Sequence, residues 1–156
     1  MSLVKNIFVI TSKLLNRKYD STLYRTDFDS HAQEYDSVVT RHLLGEETEK
    51  LINESDIQPG IRCFDLGCGT GHATKLIADR VSPNGFVLGC DVSGPMLDIA
   101  KKKLDSFSDK NFLEQDMLES LCEQKENSFD WITAFWSLGY SEWVRVLKEA
   151  RRVLKS

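Results

Sequence analysis

The sequence predicts an α/β protein built on a doubly wound, mostly parallel sheet, and three observations carry that prediction. Apolar, strand-like runs begin near Ile61, Phe86, Asn111 and Phe129, with helix-like stretches between them. The first run, Cys63-Phe64-Asp65-Leu66, breaks into the alternating glycines Gly67, Gly69 and Gly71 immediately before a helical pattern. The second and third runs end in carboxylates, Asp91 and Asp116. Short turns such as Ser82-Pro83-Asn84-Gly85 argue for parallel strands joined by right-handed crossovers.

Each element follows from its pattern. Two helices are expected before the first strand, from the apolar spacing of Phe28, Ala32, Tyr35, Val38 and Val39 and then of Leu43, Leu44, Leu51 and Ile52. Gln58-Pro59-Gly60 marks the turn into the strand. Gly85 to Ser93 reads as a strand ending at Asp91, followed by helix-like residues from Pro95 to Phe107. Asn111 to Met117 is a shorter strand pattern, and Ser128 to Leu138 a strongly apolar one. Glu142 to Leu154 closes the chain as a helix, with Val144, Leu147, Ala150, Val153 and Leu154 at three- and four-residue spacing. The segment with Leu3, Val4, Ile7, Phe8, Val9, Ile10, Leu14 and Leu15 reads as an amphipathic helix. Its apolar run is interrupted too early for a signal sequence or a membrane span, so a cytoplasmic protein without an integral membrane segment is expected.

A chain of 156 residues with 41% apolar and 28% charged content can bury a real core. One domain over 1–156 is expected, with an N-terminal helical segment (1–55) and an α/β core (56–156). The net charge of −4 offers no long-range attraction to nucleic acid, so Lys101-Lys102-Lys103 and Arg151-Arg152 read as solvated helix faces. Cys63, Cys68, Cys90 and Cys122 form no C-x-x-C pair, which implies reduced structural thiols and no zinc site. Cys68 alone, inside the glycine turn near a helix start, has a position that lowers a thiol pKa, although small-residue filler explains it better.

The glycine turn is a ligand-binding element. Residues without Cβ let the backbone approach a guest closely, and the following helix aims its free N–H groups at it. A G-x-G-x-x-G dinucleotide turn would need glycine at position 72, which is His72. No Gly-Lys-Ser/Thr group follows Gly67 at P-loop distance, so nucleotide triphosphate hydrolysis is disfavoured. A carboxylate such as Asp91, at the end of the second strand of a doubly wound sheet, accepts hydrogen bonds from a ribose diol.

An acidic residue followed by G-x-G-x-G, here Asp65, Gly67, Gly69 and Gly71, resembles the first motif of the class I S-adenosylmethionine-dependent methyltransferases. Arg152-Val153-Leu154-Lys155 is similar to a later boundary of that Rossmann-like family. The resemblance covers roughly Phe28 to the end of the chain. It implies a turn from Gly67 to Gly71, with Cys68 inside it, facing the amino-acid end of the cofactor. Asp91 would hold the ribose, and Val92 and Met96 beyond it would also line the cofactor site. Asp116 would accept from the adenine amino group while Met117 or Leu118 packs on the ring. Phe28 to Asp36 is similar to an Ala-x-x-Tyr-Asp stretch whose aromatic closes over the cofactor, which makes Tyr35 a candidate lid residue.

The implied reaction is methyl transfer from S-adenosylmethionine to a small-molecule acceptor, leaving S-adenosylhomocysteine. The resemblance names no catalytic residue; His72 and Tyr140 are possible acid–base groups that capping and packing explain equally well. The family sheet has seven strands, of which four are placed here. An incomplete sheet would make the fourth strand, with Trp131 to Trp136, an apolar edge inviting a second copy. A non-catalytic cofactor-binding module acting through a partner or oligomer is therefore the alternative. Nicotinamide-dependent oxidoreduction shares the ribose carboxylate but is opposed by the glycine spacing.

Overall fold

Five parallel strands form one sheet in the computed structural model, which describes residues 7–10, 21–38 and 45–156. In chain order they are β1 (Ile7–Ile10), β2 (Arg62–Leu66), β3 (Phe86–Asp91), β4 (Lys110–Glu114) and β5 (Trp131–Phe135), arranged β1-β5-β2-β3-β4. Among the described residues six α-helices connect or cover them: α1 (Ser21–Val38), α2 (Gly45–Glu54), α3 (His72–Val81), α4 (Gly94–Lys103), α5 (Met117–Cys122) and α6 (Trp143–Val153).

The central strands are apolar almost without interruption because helices cover both faces. Alternate residues divide between two cores. Phe64, Leu66, Leu88, Cys90, Ile132 and Ala134 meet Leu121 of α5 and Val146, Ala150 and Val153 of α6. Cys63, Val87, Trp131 and Phe135 meet Ile52 of α2 and Ile77, Ala78 and Val81 of α3. The polar exceptions on this second side, Asp65 and Thr133, are register partners on neighbouring strands.

Two expectations are corrected. The apolar residues Ile7 to Ile10 form a strand, not part of an amphipathic helix, and pair in parallel with Ile132 to Phe135. Leu3, Val4, Leu14 and Leu15 of that expected helix, and Val39, Leu43 and Leu44 of the next two, lie outside the described residues. A short continuous apolar run is the signature of a buried parallel strand as much as of a helix, and only a distant partner decides between them. That partner is β5, which is thus interior rather than a sheet edge. The apolar edge on which self-association was expected is covered by β1, and among the described residues the outer strands are β1 and β4. Among the described residues no helix is long and apolar enough to cross a membrane.

Candidate functional site

The turn leaving β2 is bound to the neighbouring strand by its own backbone. Cys68 N donates to Cys90 O at 2.9 Å, and Gly71 N donates to Cys68 O at 2.9 Å. Gly69 N donates to Asp91 Oδ2 at 2.8 Å, so the end of β3 and the glycine turn form one unit. Asp91 Oδ1 accepts from Ser93 N at 3.0 Å. At Gly69 the left-handed φ of +52° excludes most side chains, and a Cβ there would meet nothing within 4 Å. The backbone is thus bare toward open space, as a ligand cradle requires. Gly71 faces the protein instead, where a Cβ would stand 2.8 Å from Ala100 Cβ.

A cleft of about 620 Å³, counting the open solvent at its mouth, lies at the carboxyl ends of the strands. Gly67, Gly69, Asp91, Val92, Met96, Asp116 and Met117 line it, together with Tyr35 of α1. Asp116 Oδ1 also accepts from Leu118 N at 2.8 Å, which caps α5. The adenosine residues suggested by the resemblance therefore share one cavity, although they are separated by up to 50 positions, from Gly67 to Met117.

Asp65, Cys68 and His72 line a second cavity of about 480 Å³ that shares Tyr35, Gly67, Gly69, Phe135 and Trp136 with the first. Gly71 borders neither. Cys68 is buried, and burial first, then Asp91 and Asp65, pushes its thiol pKa up rather than down, which opposes an activated thiol. His72 Nε2 is buried without a hydrogen-bond partner. Among the described residues no group of three His, Cys, Asp or Glu side chains is placed to hold a metal ion.

Asp65 lies beneath the turn, where it accepts from Thr74 Oγ1 and Thr133 Oγ1, each at 2.7 Å. Burial raises its pKa to about 6 despite those two donors. A folded-state pKa above the unfolded value means that the native protein binds more protons between about pH 4 and 6, so stability falls as pH rises through that window. Asp65 alone contributes about 3 kcal/mol to this change. Asp91, also raised chiefly by burial, acts in the same direction. Asp36 and Asp130, both lowered, act oppositely and only at more acidic pH. Denaturant midpoints are expected to fall from pH 4.5 to 7, and Asp65→Asn to remove more than half of that slope. A wild-type slope retained in the variant would contradict the placement of the charge.

Several lining residues are not among those the sequence assigns to the cofactor site, although it marks Tyr140 as a possible acid–base group and Phe28 as part of the stretch carrying Tyr35. Tyr24 and Phe28 reach the first cavity from α1, Tyr140 from the 3-10 turn Leu138–Tyr140, and Phe135, Trp136 and Ser137 from the end of β5. Tyr24 and Phe28 both pack edge-on to Tyr140, with centroids 5.1 and 5.4 Å apart. Helical spacing of Tyr24, Phe28 and Tyr35 was the available signal. Trp136 carried no local signal for its φ of +59°, rare for a bulky residue; its Nε1 donates to Thr48 Oγ1 of α2 at 3.2 Å.

Comparison with known proteins agrees with this geometry. The sequence family described as "Methyltransferase domain" matches residues 64–156. A demethylmenaquinone methyltransferase of Staphylococcus aureus is 32% identical over 108 residues, 69% of this chain and 44% of that protein. The chain thus spans under half the length of the curated relatives it matches. A methyltransferase dependent on S-adenosylmethionine from Aquifex aeolicus superimposes with a TM-score of 0.60 at 23% identity, over 88% of this chain and 69% of that one. The [4+2]-cyclase SpnF superimposes at 0.72 and 23% identity, over 88% and 57%, so the shared fold does not by itself fix a reaction. The phosphoethanolamine N-methyltransferase 1 of Haemonchus contortus, solved with S-adenosylhomocysteine, superimposes at 0.68 and 16% identity, over 88% and 31%. With the family matched from Phe64 in β2 through α6, the chain belongs to the class I S-adenosylmethionine-dependent methyltransferases.

Proposed function

We propose that the chain binds S-adenosylmethionine in the larger cavity and transfers its methyl group to a small-molecule acceptor. The observation that carries this reading is the convergence of the glycine turn, Asp91 and the Asp116–Met117 pair on one space. The bare backbone at Gly69 and the acceptor oxygens of Asp91 suit an adenosine ligand. Asp91 would hold the ribose, Asp116 the adenine amino group, and Met96 and Met117 the apolar faces of the base. S-adenosylmethionine supplies an electrophilic methyl on a sulfonium. The protein's part is alignment, which can supply much of the rate without an obligatory acid or base.

The likeness to the Staphylococcus demethylmenaquinone methyltransferase and the rings of Tyr24, Phe28 and Tyr140 at the cavity support an apolar acceptor. One domain working in the cytoplasm is part of the same proposal. Calorimetric titration should show binding of S-adenosylmethionine and S-adenosylhomocysteine and none of NAD. Methyl transfer to a panel including demethylated quinones then separates turnover from binding alone. NAD binding without S-adenosylmethionine binding would overturn the reading.

A further inference from the structure

Helix α1 presents three rings to the larger cavity, Tyr24, Phe28 and Tyr35, yet it is weakly anchored by apolar burial. Among its described side chains only Ala32 is fully buried. Polar tethers supplement this at both ends. Arg25 pairs with Glu114 at the end of β4, but both side chains are 49% exposed, so solvent screening leaves little energy there. At the other end, Asp36 accepts from Thr70 Oγ1 and from Lys103 Nζ, the latter at 2.9 Å. Thr70 stands between Gly69 and Gly71 and is 2% exposed, and Lys103 is the last residue of α4. This junction is the more sheltered of the two and combines an ion pair with a hydrogen bond from a buried hydroxyl.

We infer that Asp36 is a positioning residue of the cofactor site, latching the Tyr35 end of α1 to the glycine turn and to α4. The inference rests on the proposed use of the larger cavity. Partial burial pushes the Asp36 carboxyl up, but the Thr70 and Lys103 contacts, with His72 nearby, hold it below the usual carboxylate range. Its ionised form is therefore the latched form. The neighbouring residue, Tyr35, lines both cavities. Latching keeps that ring in place over the turn, and ligand exchange requires α1 to lift. Asp36 touches neither the cofactor nor the reacting atoms in this role; it acts through Tyr35.

Hydrogen exchange on the ligand-free Asp36→Asn protein should show amides of residues 22–36 exchanging about tenfold faster, with β2 and β3 unchanged. S-adenosylhomocysteine should bind about tenfold more weakly, mainly through faster dissociation. In a Tyr35→Ala background the same change should cost under about twofold, a coupling that a merely structural role would not produce. Wild-type exchange in α1 of Asp36→Asn overturns the latch on its own, and fully additive effects overturn its action through Tyr35. A wild-type chain that binds neither S-adenosylmethionine nor S-adenosylhomocysteine overturns the functional proposal, and with it the cofactor role of Asp36, whatever the exchange shows.

Discussion

Asp91→Ala is expected to weaken S-adenosylhomocysteine binding about 100-fold, an effect of about 3 kcal/mol from losing a charged acceptor for two ribose hydroxyls. The carboxylate is held for this task. Its two oxygens offer about four acceptor positions; Gly69 N and Ser93 N occupy one on each oxygen, and the Val92 amide also draws on the carboxylate. Those bonds fix the carboxylate and leave acceptor capacity for a ligand. Asp91→Asn, which turns one acceptor into a donor, should lose about tenfold. Stability should respond differently. Burial drives the Asp91 pKa up against the pull of the Ser93, Gly69 and Val92 amides, so the ionised group costs folding energy at neutral pH. Removing it offsets the lost hydrogen bonds, and the ligand-free melting temperature should hold within about 3 °C. Calorimetry with unchanged affinity would refute the ribose assignment; a large drop in melting temperature would instead make Asp91 chiefly structural.

This division between binding and stability also explains what could be read in the chain beforehand. Gly67, Gly69, Asp91 and Asp116 were legible because each sits where a strand pattern ends, and strand ends are where an α/β sheet binds ligands. The extent of α6 followed from apolar periodicity over its 11 residues, and that of β3 from a continuous apolar run ending in a carboxylate. By contrast, Ile7 to Ile10 is four residues long, and its strand character is set by Ile132 to Phe135, more than 120 positions away. Helix α5 spans only six residues, too few for a helical period to repeat, and its start is set by the Asp116 cap. The closing ring array depends on Tyr140, which meets Tyr24 and Phe28 only in three dimensions. Asp36 lay inside the Tyr-Asp pattern, but its partners, Thr70 and Lys103, are fixed by folding alone.

Gly67→Ala is expected to be the most damaging single change at the turn, lowering stability by about 3 kcal/mol and the melting temperature by roughly 10 °C. Two costs combine. The residue has a φ of +67°, where a side chain adds about 1 kcal/mol of strain. The new Cβ would also stand 2.5 Å from Ser137 Cβ and 2.9 Å from Met117 Cε. Met117 can swing its terminal methyl aside, but Ser137 cannot retreat easily. Its Oγ donates to Leu66 O at 2.6 Å, and the residue before it, Trp136, already has a left-handed backbone. Relief must therefore come from moving the β5 exit away from the glycine turn, which displaces Trp136 and Ser137 from both the strand they extend and the cavity they line. Ligand binding should fall with stability. Gly69→Ala is the matched control: its Cβ meets no protein atom, so it should cost only about 1 kcal/mol of stability while its methyl intrudes on ligand space and abolishes measurable binding. Thermal melts and calorimetry on the two variants should thus separate, with Gly67→Ala losing fold and ligand together and Gly69→Ala losing mainly ligand. A Gly67→Ala protein melting within about 2 °C of wild type would mean that the turn and the β5 exit are not tightly packed against each other.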